Sequence, residues 1–136
     1  MSNPTGARAS SATSPAAGLH RAFQVLTALA VVNVLYQSIT AGQLFSSDGG
    51  PVEAHGAGAI VLHVITGLAA IVAVLLWRRN QLSLAMAALA AVVFVYTFVQ
   101  AAIGGYQTLY VHVPGAMLLA VGTAWLAFAA FRLRRR

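Results

Sequence analysis

His55-Gly-Ala-Gly58-Ala59-Ile-Val-Leu62 and His112-Val-Pro-Gly115-Ala116-Met-Leu-Leu119 share one pattern, H-x-x-G-A-x-x-L. Each stretch opens an apolar run long enough to cross a bilayer. Each also follows a run that carries a glutamine and then a glycine, Gln37 to Gly42 and Gln100 to Gly105. A pattern that recurs together with its flanks reads as one structural unit used twice, here a helical hairpin. The fold expected is all-α: a four-transmembrane-helix bundle of two repeated hairpins, with one histidine on each of two corresponding helices.

Composition points the same way. Of 136 residues, 60% are hydrophobic and 7% charged, a balance that a soluble domain of this size could not arrange around one core. No charge lies between Ala22 and Ser47, between Ala54 and Trp77, or from Asn80 to Phe131. Broken at their polar or Gly-rich turns, those spans predict helices over about 22–45, 55–77, 82–105 and 109–131, against roughly 20 residues needed for one crossing. Residues 1–19, rich in Ser, Ala, Pro, Thr and Gly, predict a disordered tail, so that 20–136 forms the transmembrane domain. The first apolar run exceeds the roughly 7–15 residues of a signal-peptide core and reads as a retained span. Nothing remains for a soluble catalytic domain, and the chain is not expected to be an enzyme by itself.

All eight cationic residues are arginines, at 8, 21, 78, 79, 132, 134, 135 and 136: before helix 1, between helices 2 and 3, or after helix 4. The loops after helices 1 and 3 carry none, and the first holds both acids, Asp48 and Glu53. By the positive-inside rule both termini are cytoplasmic. The net charge of +6 is thus a topology signal and not a nucleic-acid footprint. The absence of lysine beside abundant Ala and Arg suggests a GC-rich bacterial genome, hence a multi-pass protein of the inner membrane. The absence of cysteine excludes disulfides, thiolate metal sites and covalent c-type haem attachment.

Helices 1 and 3 run outward and helices 2 and 4 inward, so the halves are related by an axis along the membrane normal. His55 and His112 should then lie at similar depths. His55 stands 23 residues before Arg78 and His112 stands 20 before Arg132, a mismatch of about 4.5 Å at 1.5 Å per residue. Two imidazoles facing each other in a helical bundle are what a haem iron takes as axial ligands. Gly58 and Gly115, three residues on, lie on the same helical face, where a missing side chain would let a flat macrocycle approach. The same glycines would also serve close packing of membrane helices. His63 competes with His55 for the helix 2 ligand, because an intramembrane ionisable group is a functional candidate by default. It lies about 80° around the helix from His55, and its counterpart in the second half is Ala120. Gln37 and Gln100 read either as interhelical hydrogen-bonding residues or as part of a ligand or quinone site. Structural interfacial histidines, another metal and a proton relay remain open beside haem.

The arrangement Gln37-x4-Gly42, acidic loop, His55-x-x-Gly58, then Gln100-x-x-x-Gly104-Gly105 and His112 resembles a family of small four-helix bacterial membrane proteins. It is more distantly similar to one half of haem A synthase and to four-helix cytochromes b. The resemblance spans roughly residues 30–125 and implies His55 and His112 as axial ligands, with Glu53 close before the first. Where haem A synthase follows its histidine with arginine, this chain has Gly56. It has half that enzyme's length and one histidine pair, so the resemblance does not extend to haem A synthesis by this chain alone. Two functions are carried forward. One is a b-type haem-binding electron-transfer or accessory subunit, beside a larger membrane enzyme or as a homo-oligomer. The other is a non-catalytic scaffold or assembly protein that binds other membrane helices. A small transporter ranks below both, since no acidic or basic residue lies mid-membrane to couple ions.

Overall fold

The computed structural model describes residues 15–45 and 52–132. Four α-helices account for nearly all of them: α1 (Pro15–Leu44), α2 (Val52–Arg78), α3 (Leu84–Ala102) and α4 (Leu109–Arg132), with a 3-10 turn over Tyr106–Thr108 leading into α4. All four are long and apolar enough to cross a membrane. Packing runs α1 on α2, α2 on α3, α3 on α4 and α4 back on α1, so α2 and α4 face each other across the bundle. The helix bounds differ from expectation mainly at the ends. Residues 15–19, expected in the tail, are helical, because Pro15 fits a first helical position and Ala16 and Ala17 favour helix. The rest of that tail lies outside the described residues, as does Asp48. α2 begins three residues before His55, and α3 stops at Ala102.

The α2–α3 connection shows how local chemistry sets the hairpin. Asn80 takes a left-handed conformation at φ 56°, tolerable for Asn. The Gln81 N–H then reaches back to the Leu76 carbonyl at 2.9 Å, and that of Asn80 to Trp77 at 2.8 Å. This is a Schellman closure, which caps the last carbonyls of α2. Ser83 caps α3 by accepting from the Met86 N–H at 3.3 Å.

Side-chain size is distributed for contact with lipid. The interior is built largely of small residues, among them Ala30, Ala69, Ala73, Ala87, Ala90 and Ala130. Large aliphatics such as Val32, Ile39, Ile60, Ile71, Val92 and Val121 point outward. In water such a surface would be untenable; against acyl chains it costs nothing, and small interior residues let backbones approach. Thr27, Thr66 and Thr123 lie buried in this interior, each hydroxyl turned back to a carbonyl of its own helix at 2.7–3.0 Å. With Ala30, Ala69, Ala90, Val93 and Leu126 they line a cavity of about 10 Å³.

The buried faces of α2 and α4 keep a common spacing. Gly58, Leu62, Thr66, Ala69 and Ala73 are buried on α2; Gly115, Leu119, Thr123, Leu126 and Ala130, each 57 positions later, are buried on α4.

Candidate functional site: a histidine pair between opposite helices

His55 sits in the first turn of α2 and His112 in the first turn of α4, at the end of the bundle away from the described arginines. Their ring centroids are 6.5 Å apart, with planes crossing at 68°. The two histidines singled out by the H-x-x-G pattern are therefore brought together, although their helices are diagonal. Both are half-buried.

The two rings are anchored by their Nδ1 atoms. His112 Nδ1 lies 3.1 Å from the Gln100 backbone carbonyl. A carbonyl oxygen can only accept, so this nitrogen carries the proton, and the Nε2 of the neutral ring keeps its electron pair. That carbonyl is free to accept because α3 ends two residues later, leaving its final carbonyls without helical donors. His55 Nδ1 lies 2.9 Å from the Thr40 hydroxyl of α1.

Gly58 and Gly115 are buried one turn inward of the histidines, and each seats side chains from the preceding helix. A Cβ at Gly58 would stand 2.8 Å from Tyr36 Cε1 and 3.1 Å from Gln37 Nε2. At Gly115 it would collide with the Gln100 amide and stand 2.6 Å from the Tyr96 hydroxyl. The glycine faces expected to lie open thus receive a glutamine and a tyrosine each. Gln37 and Gln100 are both brought to the site by this packing. Gln100 is only 5% exposed, and neither its Oε1 nor its Nε2 has a hydrogen-bond partner. Gln37 Oε1 and Asn33 Oδ1, one turn apart on α1, are likewise buried and unpartnered. Orphaned polar atoms inside a membrane bundle are costly; those of Gln37 and Gln100 lie beside the histidine pair, while His63 Nδ1 and, toward the arginine-rich end, Gln81 Oε1 are also buried and unpartnered.

His63 is positioned elsewhere. Its ring packs on Phe98 of α3 at 4.2 Å between centroids, within an aromatic cluster that continues to Phe94, and its Nδ1 is buried without a partner. His20 bonds through Nδ1 to the Ala16 carbonyl of its own helix at 2.9 Å. Thr40 is the site residue that sequence reading missed. Its signal was present, a hydroxyl three residues past Gln37, but nothing in the repeat pointed to it, since the second half offers Ile103 at the equivalent place.

Among the described residues no group of three or more His, Asp or Glu converges. No protein-family model, curated protein or solved structure matches the chain.

Proposed function

We propose that this chain is a b-type haem-binding integral membrane protein that ligates one haem through His55 and His112 and serves electron transfer, as a subunit or accessory of a larger membrane enzyme. The observation that carries the reading is the approach of two half-buried imidazoles, from opposite helices, to 6.5 Å between centroids. Two rings whose nitrogens each stand about 2 Å from a shared metal have centres roughly 6 Å apart. The donor set favours haem over a bare ion. A structural or catalytic metal takes three or four protein ligands, whereas porphyrin supplies four of its own and asks the protein for two. The unpartnered Oε1 of Gln37 and the unpartnered amide of Gln100 supply polar groups beside the pair that a bound guest would satisfy. Loading the site requires these side chains, the Tyr36 ring and the Tyr96 hydroxyl to yield.

When bound, the haem supplies one-electron chemistry. His55 and His112 would hold the group through their imidazoles, and ligation by two protein side chains would favour electron transfer over oxygen chemistry. Buried Leu62 and Leu119 follow one turn below the glycines and keep water from the interior side. The common 57-residue spacing of the buried positions on α2 and α4 supports descent from one duplicated hairpin. The arginine distribution supports cytoplasmic termini in a bacterial inner membrane. The scaffold alternative needs small residues on outward faces. Gly42 and Gly56 do have open space beside them, whereas Gly58, Gly67, Gly115 and Gly122 lie against Tyr36, Phe94, Gln100 and Val93.

The test is purification in detergent from cells with ample haem supply. The expected product is red, carries one haem per chain, and gives a low-spin electron paramagnetic resonance signal. His112→Ala loses that signal and His63→Ala, the control, keeps it. A folded, monodisperse wild type that stays colourless overturns the reading.

A further inference from the structure

We infer that Thr40 is a positioning residue for His55, holding its imidazole as the Nδ1–H tautomer so that Nε2 is the electron-pair donor offered to the site. The inference rests on the proposed role of the histidine pair and adds a residue that acts through one of its members.

The argument is an accounting of one proton. Thr40 is 3% exposed, and its Oγ1 has three polar neighbours: the Tyr36 carbonyl at 3.2 Å, the Gln37 carbonyl at 3.1 Å and His55 Nδ1 at 2.9 Å. A hydroxyl has one proton to give. Both carbonyls can only accept, so the proton is directed toward them, as in the back-bonded Thr27, Thr66 and Thr123 of the same bundle. The shortest contact must then run the other way, with His55 Nδ1–H donating to the hydroxyl oxygen. Were Thr40 instead to donate to Nδ1, its oxygen would face two carbonyl oxygens with no proton between them.

The helix lengths explain why a threonine is needed in one half only. At His112 the acceptor is the Gln100 carbonyl, released by the end of α3 at Ala102. At His55 the matching carbonyl belongs to Gln37, but α1 continues to Leu44 and that oxygen already lies within the helix ladder. Thr40 adds the acceptor that α1 itself cannot spare. The second half needs no hydroxyl, and Ile103 stands there. A hydrogen bond to the outer nitrogen of a metal-binding imidazole fixes its tautomer and orientation, so the two halves reach one end by different means.

The test uses Thr40→Val, which keeps the shape and removes the acceptor, and Thr40→Ser, which restores it. Two readouts are taken on full-length protein in detergent. The first is nitrogen-15 NMR of the haem-free chain, with His55 assigned by His55→Ala. Free histidine favours the Nε2–H tautomer, so an Nδ1–H signal at His55 is diagnostic. It is expected in the wild type and in Thr40→Ser, and reduced in Thr40→Val. The second is haem retention against an apo-globin acceptor, expected to weaken about tenfold in Thr40→Val. That is the low end of the range for such contacts. Thr40→Ser should recover it. An Nε2–H wild-type His55, or a Thr40→Val protein unchanged in tautomer and in retention, overturns the inference. A colourless wild type whose His55 is Nδ1–H removes the haem reading and leaves the tautomer assignment standing, so the two failures are distinct.

Discussion

At the scale of single residues the unusual feature is polarity without partners. Gln100 is buried on α3 with both ends of its amide unsatisfied, pressed between Gly115 and Tyr96. Burying an amide without compensation costs about 1–3 kcal/mol, so packing alone does not justify its presence. A function would. Gln100→Leu therefore separates the two demands. The haem-free variant should be as stable as the wild type or more so, by roughly 1 kcal/mol, read as the midpoint of denaturation in detergent. The haem-loaded variant should release haem faster than the wild type. A variant that is destabilised without haem and unchanged in haem release would assign Gln100 to packing alone. The sequence exposed the residue types of this site well. His55, His112, Gln37 and Gln100 were all visible as members of a recurring pattern, because the pattern encodes which face of each helix meets its neighbour. What the pattern could not carry was the direction of packing at the glycines. Periodicity says that Gly58 and Gly115 share a face with the histidines; it does not say whether that face stays open or admits a neighbour's side chain. Thr40 was hidden for the same reason, since its role depends on where α1 ends relative to α3.

At the scale of elements, the apolar runs alone gave four helices and their order. The structure adds that the interval between the recurring motifs, 57 positions, also relates the buried face of α4 to that of α2. The depth mismatch estimated from Arg78 and Arg132 arises from the choice of anchors. The spacing of 57 that relates the buried faces pairs Arg78 and Arg79 with Arg135 and Arg136, not with Arg132. With the proper pair the two histidines stand equally far from their cationic ends, in keeping with the close approach of their rings. Sequence did not reveal how the ring of helices is closed at the arginine-rich end. There the buried Gln24 of α1 donates through Nε2 to the Ala130 carbonyl of α4 at 3.0 Å. A polar hydrogen bond between membrane helices contributes about 0.6 kcal/mol on average and up to roughly 1.7. Gln24→Leu removes the donor while keeping bulk, and should cost an amount in that range. Reversible unfolding in mixed detergent micelles measures it. Because this contact lies at the end of the bundle opposite the histidines, haem retention should be unaffected. Joint loss of stability and haem in this variant would mean that the two ends of the bundle are coupled.

At the scale of the whole molecule, charge and aromatic residues divide the bundle into two unlike ends. Arg21 lies in the second turn of α1, Arg78 ends α2 with Arg79 just beyond it, and Arg132 ends α4 with its guanidinium 4.4 Å from the Phe128 ring. In an antiparallel bundle closed α1 to α4, these positions fall together. The opposite end carries the histidine pair and two strongly exposed tyrosines, Tyr106 at 87% and Tyr110 at 78%. Exposed tyrosines at a helix end suit the membrane–water interface, and arginine-rich connections are retained on the cytoplasmic side during insertion. Both signals support the orientation proposed above, with the histidine pair near the outer face. The orientation matters for function, because a haem held there would exchange electrons with partners outside the cytoplasm. Single cysteines at Tyr106 and Arg79 test it directly, since the chain has no cysteine of its own. In intact cells a membrane-impermeant maleimide should label position 106 and spare position 79, and permeabilisation should expose the latter. The reverse pattern would turn the bundle over and bring the histidine pair to the cytoplasmic face. Labelling of both positions in intact cells would mean mixed insertion, which an imbalance of eight arginines against none on the tyrosine side should prevent.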